Sequence, residues 1–185
     1  MTNKTKIIIA LVCLCGLAGL FFLSVFSKEG ALAVKTENRV VRLEKLPDGK
    51  IFKTSWGDQL IWVVPRSLEE QKELYQQAKN NREKLQSLSG PTNDFRSMVP
   101  QWFVFATEQN KQRQVLITLN NGDKVPCEDF FLVDSEMGSV SCQAIDTENR
   151  YVFDSLGLPI ASAAIPLSVP PQFINNQKHL VIGGN

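Results

Sequence analysis

The sequence predicts a mainly β protein in which an N-terminal transmembrane helix carries an antiparallel β-sandwich head with one inserted surface helix. Three observations support this prediction. A long uncharged apolar run lies near the start, the later chain alternates apolar and polar residues over short segments between turn signals, and one stretch carries a helix-start signal. The 185 residues leave room for one ordinary domain beside the anchor.

The apolar run Ile7–Phe26 predicts the membrane anchor. It holds 20 residues without a charge, of which 13 are Ile, Leu, Val or Phe. A helix of that length spans about 30 Å, the thickness of a bilayer core. A cleaved signal peptide is the alternative, since Ala31-Leu32-Ala33 resembles a cleavage site. The run, however, exceeds the roughly 7–15 apolar residues of a signal peptide. We therefore expect a tail and anchor over 1–27, a linker over 28–38 and the head over 39–185.

The charges of the chain bear on its expected partners and on its expected orientation in the membrane. The chain has 20 basic and 19 acidic residues, and the basic ones form no stripe, so nucleic acid is not an expected partner. The positive charges on the two sides of the apolar run nearly balance. A short tail ahead of such a run usually stays in the cytoplasm. We therefore expect a single-pass protein of the bacterial inner membrane with its head in the periplasm.

The sequence predicts several short strands and one helix in the head. Gly57-Asp58 and Asn120–Asp123 are typical hairpin turns. Ser67 and Glu70 form a capping box, which predicts a helix to about Leu88 whose sparse apolar positions place it on the surface. The expected strands are Arg39–Leu46, Lys50–Trp56, Gln59–Val64, Gln101–Ala106, Gln114–Leu119, Lys124–Leu132, Gly138–Gln143, Arg150–Phe153 and Leu180–Ile182.

Five stretches, in order along the head, resemble one family. They are Val40–Lys50 with Lys53–Gly57, Leu60–Pro65 followed by Arg66-Ser67-Leu68-Glu69-Glu70, Pro100–Val104, Tyr151–Gly157 and Ile165–Pro171. They are similar to the opening strands, the hairpin and "R-T-x-E-E" helix start, the "P-E-W" strand, the "H-Y-D-x-S-G" segment and the "A-P-L-N-L-P-V-P-P" tail of the Rieske iron–sulfur subunit of quinol–cytochrome c reductases. The resemblance implies a Rieske-like head on a membrane anchor.

The residues that would hold a Rieske cluster are missing. Such a cluster needs two cysteines and two histidines, which the family supplies as Cys-x-His and Cys-x-x-His. This chain has one histidine, His179, so no alignment supplies the second. Counting on from Trp102 places the first ligand pair at Gln109 and Lys111; anchoring on Cys127 gives Gly122 and Lys124, and anchoring on Cys142 gives Val140 and Gln143. We expect no cofactor, no metal, no catalytic residue and no small-molecule substrate.

Two further features follow from the resemblance. In the family, an extra cysteine from each cluster loop joins the other in a disulfide, which implies a bond between Cys127 and Cys142. Two independent buried thiols are the alternative. The polar stretch from Glu108 to Arg113, which stands where the first cluster loop would be, is a candidate docking loop; an ordinary solvated loop is the alternative. Its candidate contact residues are Glu108, Gln109, Lys111 and Arg113.

These features predict a non-enzymatic structural or protein-interaction subunit of an inner-membrane or cell-envelope complex. Its expected partners are other membrane or envelope proteins, together with the bilayer around Ile7–Phe26. Two alternatives stay open. One is an accessory protein that performs disulfide-based redox chemistry or electron transfer through Cys127 and Cys142. The other is a component of a secretion system or another envelope-spanning machine.

Overall fold

The computed structural model describes residues 37–88, 90–91, 93–134, 139–160, 162–176 and 178–183. They belong to one compact unit, Thr36–Asn185. The predicted anchor Ile7–Phe26 lies outside the described residues. Among the helices that are described, none is long and apolar enough to cross a membrane.

The described part of the head is mainly β, as predicted, and its paired strands are antiparallel. It forms three sheets with the strand orders β1-β12-β11, β2-β3-β4-β5-β6 and β10-β9-β8-β7. The elements are β1 (Arg39–Arg42), β2 (Phe52–Trp56), β3 (Gln59–Pro65), α1 (Leu68–Asn80), α2 (Arg82–Gln86), β4 (Trp102–Gln109), β5 (Val115–Thr118), β6 (Lys124–Cys127), β7 (Phe131–Asp134), β8 (Ser139–Gln143), β9 (Arg150–Phe153), β10 (Pro159–Ile160), β11 (Gln172–Asn175) and β12 (His179–Ile182).

The five-stranded sheet is the middle layer of the head. On β3, Leu60, Trp62 and Val64 pack in one cluster with residues of the four-stranded sheet. The alternate residues Ile61 and Val63 pack on the other side, in a cluster with residues of the three-stranded sheet. A strand that is buried on both faces needs a continuous apolar run. Fully burying each such side chain contributes about 1.5–3 kcal/mol, so this strand and its neighbour β4, which is buried on both faces as well, make a large contribution to the core.

The inserted helix begins as predicted and ends earlier. The Ser67 hydroxyl accepts a hydrogen bond from the Glu70 backbone N–H at 3.2 Å, and the Glu70 carboxylate accepts one from the Ser67 N–H, which completes the capping box. Asn81 leaves the helical conformation at φ −111°, ψ 14°, and so the expected single helix to Leu88 is two helices, α1 and α2. The buried residues of α1 are Glu70, Leu74 and Ala78, one row at a spacing of four, so α1 is a surface helix.

The expected strand Lys124–Leu132 is two strands in different sheets. β6 ends at Cys127 in the five-stranded sheet, and β7 begins at Phe131 in the four-stranded sheet. Between them, the buried Phe130 ring meets the rings of Trp62 and Phe105 at centroid distances of 5.1 and 4.9 Å. The chain crosses from one sheet to the other here because Phe130 enters the core between them.

Candidate functional site

A disulfide joins Cys127 to Cys142, as the family resemblance implies. Their Cα atoms lie 5.8 Å apart. Cys127 is the last residue of β6 and Cys142 lies in β8, so the bond links the five-stranded sheet to the four-stranded sheet. The backbone brings these strands together, because the Glu128 N–H donates to the Gln143 carbonyl at 2.8 Å.

The disulfide lies inside the protein. Cys127 is 1% exposed and Cys142 is fully buried, and both belong to the large cluster between the two sheets. Thiol–disulfide exchange requires an attacking thiolate to reach one of the sulfurs. Both cysteines are covered in the folded head, and the bond forms a covalent strut between β6 and β8.

The positions that correspond to cluster ligands do not form a cluster site. Gln109 ends β4, Lys124 begins β6, and Val140 is buried on β8. Lys111 lies in the turn after β4, Gly122 in the β5–β6 hairpin and Gln143 at the end of β8. His179 lies on β12 opposite Arg42 and Asn175, in the sheet that does not carry the disulfide. Within the described ranges, His, Cys, Asp and Glu side chains do not gather in groups of three or more that could hold a metal ion.

The candidate docking loop is a hydrogen-bonded hairpin turn between β4 and β5. The Arg113 N–H donates to the Asn110 carbonyl at 3.0 Å, and the Gln109 side-chain amide donates to the Arg113 carbonyl at 3.2 Å. Glu108 forms an ion pair with Lys124 of β6. Lys111 and Arg113 are exposed. The turn therefore presents two cations to solvent from a defined backbone, and docking by this stretch stays a prediction.

Two buried arginines, Arg66 and Arg96, lie away from the disulfide and the candidate docking loop. The sequence did not predict either of them as a functional residue. Arg66 is 5% exposed and precedes α1. Its guanidinium donates to three backbone carbonyls, those of Pro100 at 3.3 Å, Phe95 at 2.9 Å and Ser155 at 2.5 Å. It also lies 5.1 Å from the centroid of the Phe103 ring. Arg66 thus fastens the helix start to two distant loops.

Arg96 makes a second connection of the same kind. It is 2% exposed, has a positive φ of 46°, and donates to the carbonyls of Leu156 at 2.5 Å and Leu167 at 2.9 Å. Asp154 completes the turn between them, since its Oδ1 accepts hydrogen bonds from the N–H groups of Leu156 at 2.9 Å and Leu158 at 2.8 Å. We call Arg66, Arg96 and Asp154 the arginine cluster.

Burial dominates the electrostatics of the arginine cluster. It lowers the pKa of Arg66 to about 9 against the opposing charges of Glu70 and Asp154. It also lowers the pKa of Arg96 to about 10, again against Asp154. Burial raises the pKa of Asp154, although its two backbone hydrogen bonds and Arg96 act in the opposite direction. The hydrogen bonds of both guanidinium groups go to backbone carbonyls of loops, so the cluster organises loop backbone.

A sequence signal for this cluster existed. Arg66 belongs to the stretch that resembles "R-T-x-E-E", and Asp154 and Ser155 belong to the one that resembles "H-Y-D-x-S-G". The Arg66–Ser155 hydrogen bond joins these two stretches across 89 positions. No protein-family model matches the chain, and no curated protein matches it as a relative.

Proposed function

We propose that this chain is a membrane-anchored, non-redox, Rieske-like protein that serves as a structural or protein-interaction subunit of an inner-membrane or cell-envelope complex. The observation that carries the proposal is the position of His179. It is the chain's only histidine, and it lies on β12, in a different sheet from the disulfide. A Rieske cluster takes two histidines beside two cysteines. The scaffold therefore has no ligand set for the electron carrier.

The Rieske likeness itself rests on ordered motifs and on one contact between them. The motif stretches fall on β1 to β3, the start of α1, β4, β9 with the turn after it, and the segment between β10 and β11. Two of these motifs contact each other through the buried hydrogen bond from the Arg66 guanidinium to the Ser155 carbonyl. Fold likeness does not carry function. The missing ligands are the reason that we propose contact rather than electron transfer.

The proposed location follows from the anchor and the disulfide. Disulfides persist in oxidising compartments such as the bacterial periplasm and are rare in the cytosol. A head with a Cys127–Cys142 bond fits the periplasmic side of an inner membrane crossed by Ile7–Phe26. Protease added to spheroplasts should cut the head while the N-terminal tail stays protected. A protected head would contradict this orientation.

Iron analysis tests the non-redox part of the proposal. The full chain is purified in mild detergent without chelators after expression with ample iron and cluster-assembly machinery, next to an authentic Rieske protein as the positive control. We expect far less than stoichiometric iron and no Rieske absorption or spin-resonance signal. A His179→Ala variant is the matched control for adventitious iron. Stoichiometric iron with a Rieske signal that His179→Ala removes would overturn the proposal.

Partner capture tests the interaction part. The full chain, tagged at its C-terminus and expressed at native level, is cross-linked in cells and recovered in mild detergent for mass spectrometry. We expect a defined set of membrane or envelope subunits in constant ratio. Subunits of a secretion system would favour the envelope-machine alternative. Recovery of the chain alone, under cross-linking that captures a known complex in the same cells, would contradict an interaction role.

The disulfide-exchange alternative has the bond itself in its favour and the burial of the bond against it. Cys127 and Cys142 are covered by the core, so folded protein should resist exchange. Incubation of the native full chain with glutathione or a thioredoxin-type dithiol, followed by thiol labelling, decides the point. We expect no labelling of these two cysteines without denaturant. Rapid labelling under native conditions would favour the redox alternative.

A further inference from the structure

We propose that Asn121 is a self-modification site, at which the backbone nitrogen of Gly122 attacks the side-chain amide and the asparagine becomes aspartate or isoaspartate. The site lies in the turn between β5 and β6, at the tip of that hairpin. Asn121-Gly122 is the only Asn-Gly pair in the chain. The inference does not depend on the proposed function, because neither the anchor nor a partner takes part in the reaction.

The reaction consumes water and releases ammonia. The Gly122 nitrogen loses its proton and forms a bond to Cγ of Asn121, and the bond from Cγ to Nδ2 breaks. The Nδ2 group takes up the proton and leaves as ammonia, so a succinimide ring remains. Water then opens this ring at either of its carbonyl groups. One opening gives aspartate, and the other gives isoaspartate, in which the backbone runs through the former side chain.

The turn holds the Asn121 side chain against the backbone that attacks it. Its Oδ1 accepts a hydrogen bond from the Asp123 N–H at 3.1 Å, and its Nδ2 donates to Oδ2 of Asp123 at 2.6 Å. The ring that the first bond closes contains both reacting atoms, Cγ of Asn121 and the nitrogen of Gly122. Holding reacting groups in this way lowers the entropic cost of the attack. The Asp123 N–H also stabilises the negative charge that Oδ1 gains in the tetrahedral intermediate.

Gly122 leaves the attacking nitrogen open to approach. Its φ is +88°, and no described atom would lie within 4 Å of a Cβ placed on it. Asn121, Gly122 and Asp123 are all exposed, so water reaches the succinimide. The Gly122 N–H donates to the Leu119 carbonyl at 2.9 Å, and this bond has to open before the attack. Because water replaces an exposed hydrogen bond at little net cost, its opening slows the reaction without preventing it.

Two other turn asparagines serve as internal comparisons. Asn120 is exposed in the same turn, but the residue after it carries a side chain. Asn110 lies in the turn between β4 and β5, where its Oδ1 accepts a hydrogen bond from the Gln114 N–H at 2.9 Å. It is followed by Lys111, whose Cβ crowds the nitrogen that would attack. Both positions therefore share the turn setting and lack the glycine.

Either product changes the charge at the tip of the hairpin. Conversion replaces a neutral amide by a carboxylate, which lowers the formal net charge of +1 by one unit. The hydrogen bond from Nδ2 to Asp123 is lost with the ammonia, so two carboxylates then lie side by side. The next residue, Lys124, forms the ion pair with Glu108 of the candidate docking loop. The modification thus alters the surface charge beside that loop.

Ageing of the purified full chain in mild detergent tests the proposal. The protein is incubated in mildly alkaline buffer at body temperature, and peptide mapping by mass spectrometry follows the change from amide to acid at each asparagine. A synthetic peptide with the sequence of residues 119–125 is aged beside it as the positive control for the chemistry. We expect Asn121 to convert ahead of Asn120 and Asn110, and chromatography of the mapped peptides should resolve aspartate from isoaspartate.

Two kinds of variant test the parts of the site, each with its fold checked by tryptophan fluorescence. Gly122→Ala places a methyl group beside the attacking nitrogen and should stop conversion on the same time scale. Asp123→Ala removes the acceptor of the Nδ2 hydrogen bond and keeps the N–H on Oδ1. It should slow conversion by about fivefold, the equivalent of one exposed hydrogen bond. Asp123→Asn restores an acceptor and should recover most of the rate.

The outcomes separate clearly. An Asn121 that stays intact while the peptide converts overturns the proposal. Conversion of Asn120 or Asn110 at the rate of Asn121 overturns it as well, because the glycine then has no effect. Equal rates in the native chain and in Asp123→Ala also contradict it, since the turn then contributes nothing to the reaction. None of these results bears on the iron, partner or orientation experiments that test the proposed function.

Discussion

Gly157 provides the most direct test of the packing around the arginine cluster. Its φ is +73°, and a Cβ atom placed on it would lie 2.5 Å from Cζ and 3.0 Å from Cε1 of Phe103, and 3.2 Å from Cβ of Leu167. Its own N–H donates to the Asp154 carbonyl at 2.8 Å. The Gly157→Ala substitution therefore adds a methyl group where a core ring already lies, in a turn that the backbone holds closed.

The expected loss is the sum of two effects. A non-glycine residue in the left-handed region costs about 1–2 kcal/mol. Overpacking against a core that cannot yield adds about 1–3 kcal/mol. Gly49→Ala is the matched control, because Gly49 has a similar φ of +63° and no described atom would lie within 4 Å of its Cβ. We expect Gly157→Ala to lose about 1–3 kcal/mol more than Gly49→Ala in the free energy of unfolding.

Urea unfolding of the full chain in detergent micelles measures both variants. The three tryptophans of the chain, Trp56, Trp62 and Trp102, all lie in the described head, so their fluorescence reports its unfolding. In a Phe103→Leu background the ring atoms that clash are gone, and the cost of Gly157→Ala should shrink toward that of Gly49→Ala. Equal losses for the two glycine variants, or an unchanged cost beside Leu at position 103, would refute the steric reasoning.

Three further predictions concern the disulfide, the helix cap and pH. The Cys127→Ala/Cys142→Ala variant should lose about 3 kcal/mol in the free energy of unfolding measured in urea. This is the chain-entropy value for a loop of this size, since the two residues are 15 positions apart. An unchanged urea midpoint would contradict the role of the disulfide as a strut. Ser67→Ala should lose about 1 kcal/mol by the same assay, and no measurable loss would show that the capping box is dispensable. Burial raises the pKa of Asp154 above its ordinary value of 3.8. The folded state therefore holds this proton more tightly than the unfolded chain does. The stability that this difference contributes is fully present below about pH 3.8 and is lost as the pH rises through the pKa of the folded state. The stability of the native protein relative to Asp154→Asn should thus increase from neutral to acidic pH, and urea midpoints showing a constant difference would contradict this.

Local signals in the sequence predicted the parts of the fold that local chemistry decides. The capping box at Ser67 and Glu70 involves groups three residues apart, and it forms as expected. The hairpin across Gly57 and Asp58 also forms, with Trp56 opposite Gln59. In both cases the interacting residues are only three positions apart in the chain, so their types and spacing contain the information.

The errors arose where distant residues decide the outcome. Lys124–Leu132 alternates well enough to resemble one strand, but the Phe130 ring finds its partners Trp62 and Phe105 far away in sequence, and the chain changes sheets to reach them. The three-layer arrangement was also missed. The continuous apolar runs Leu60–Val64 and Phe103–Ala106 were a usable signal, because only strands covered on both faces bury every residue.

The arginine cluster shows why the candidate site was harder to predict than the fold. An arginine is rarely buried unless something pairs with it, and the partners of Arg66 and Arg96 are backbone carbonyls, which no residue type reveals. The sequence signal for the arginine cluster is that Arg66 and Asp154 belong to two stretches that resemble the Rieske iron–sulfur family. Under the proposed function, the shape of the Rieske-like head and the capacity to hold a cluster are separate properties. The arginine cluster and the Cys127–Cys142 bond fix loops and sheets relative to one another, and neither needs a metal to do so. These contacts lie between groups of the protein itself, so under the proposed function the head keeps its shape without cluster ligands.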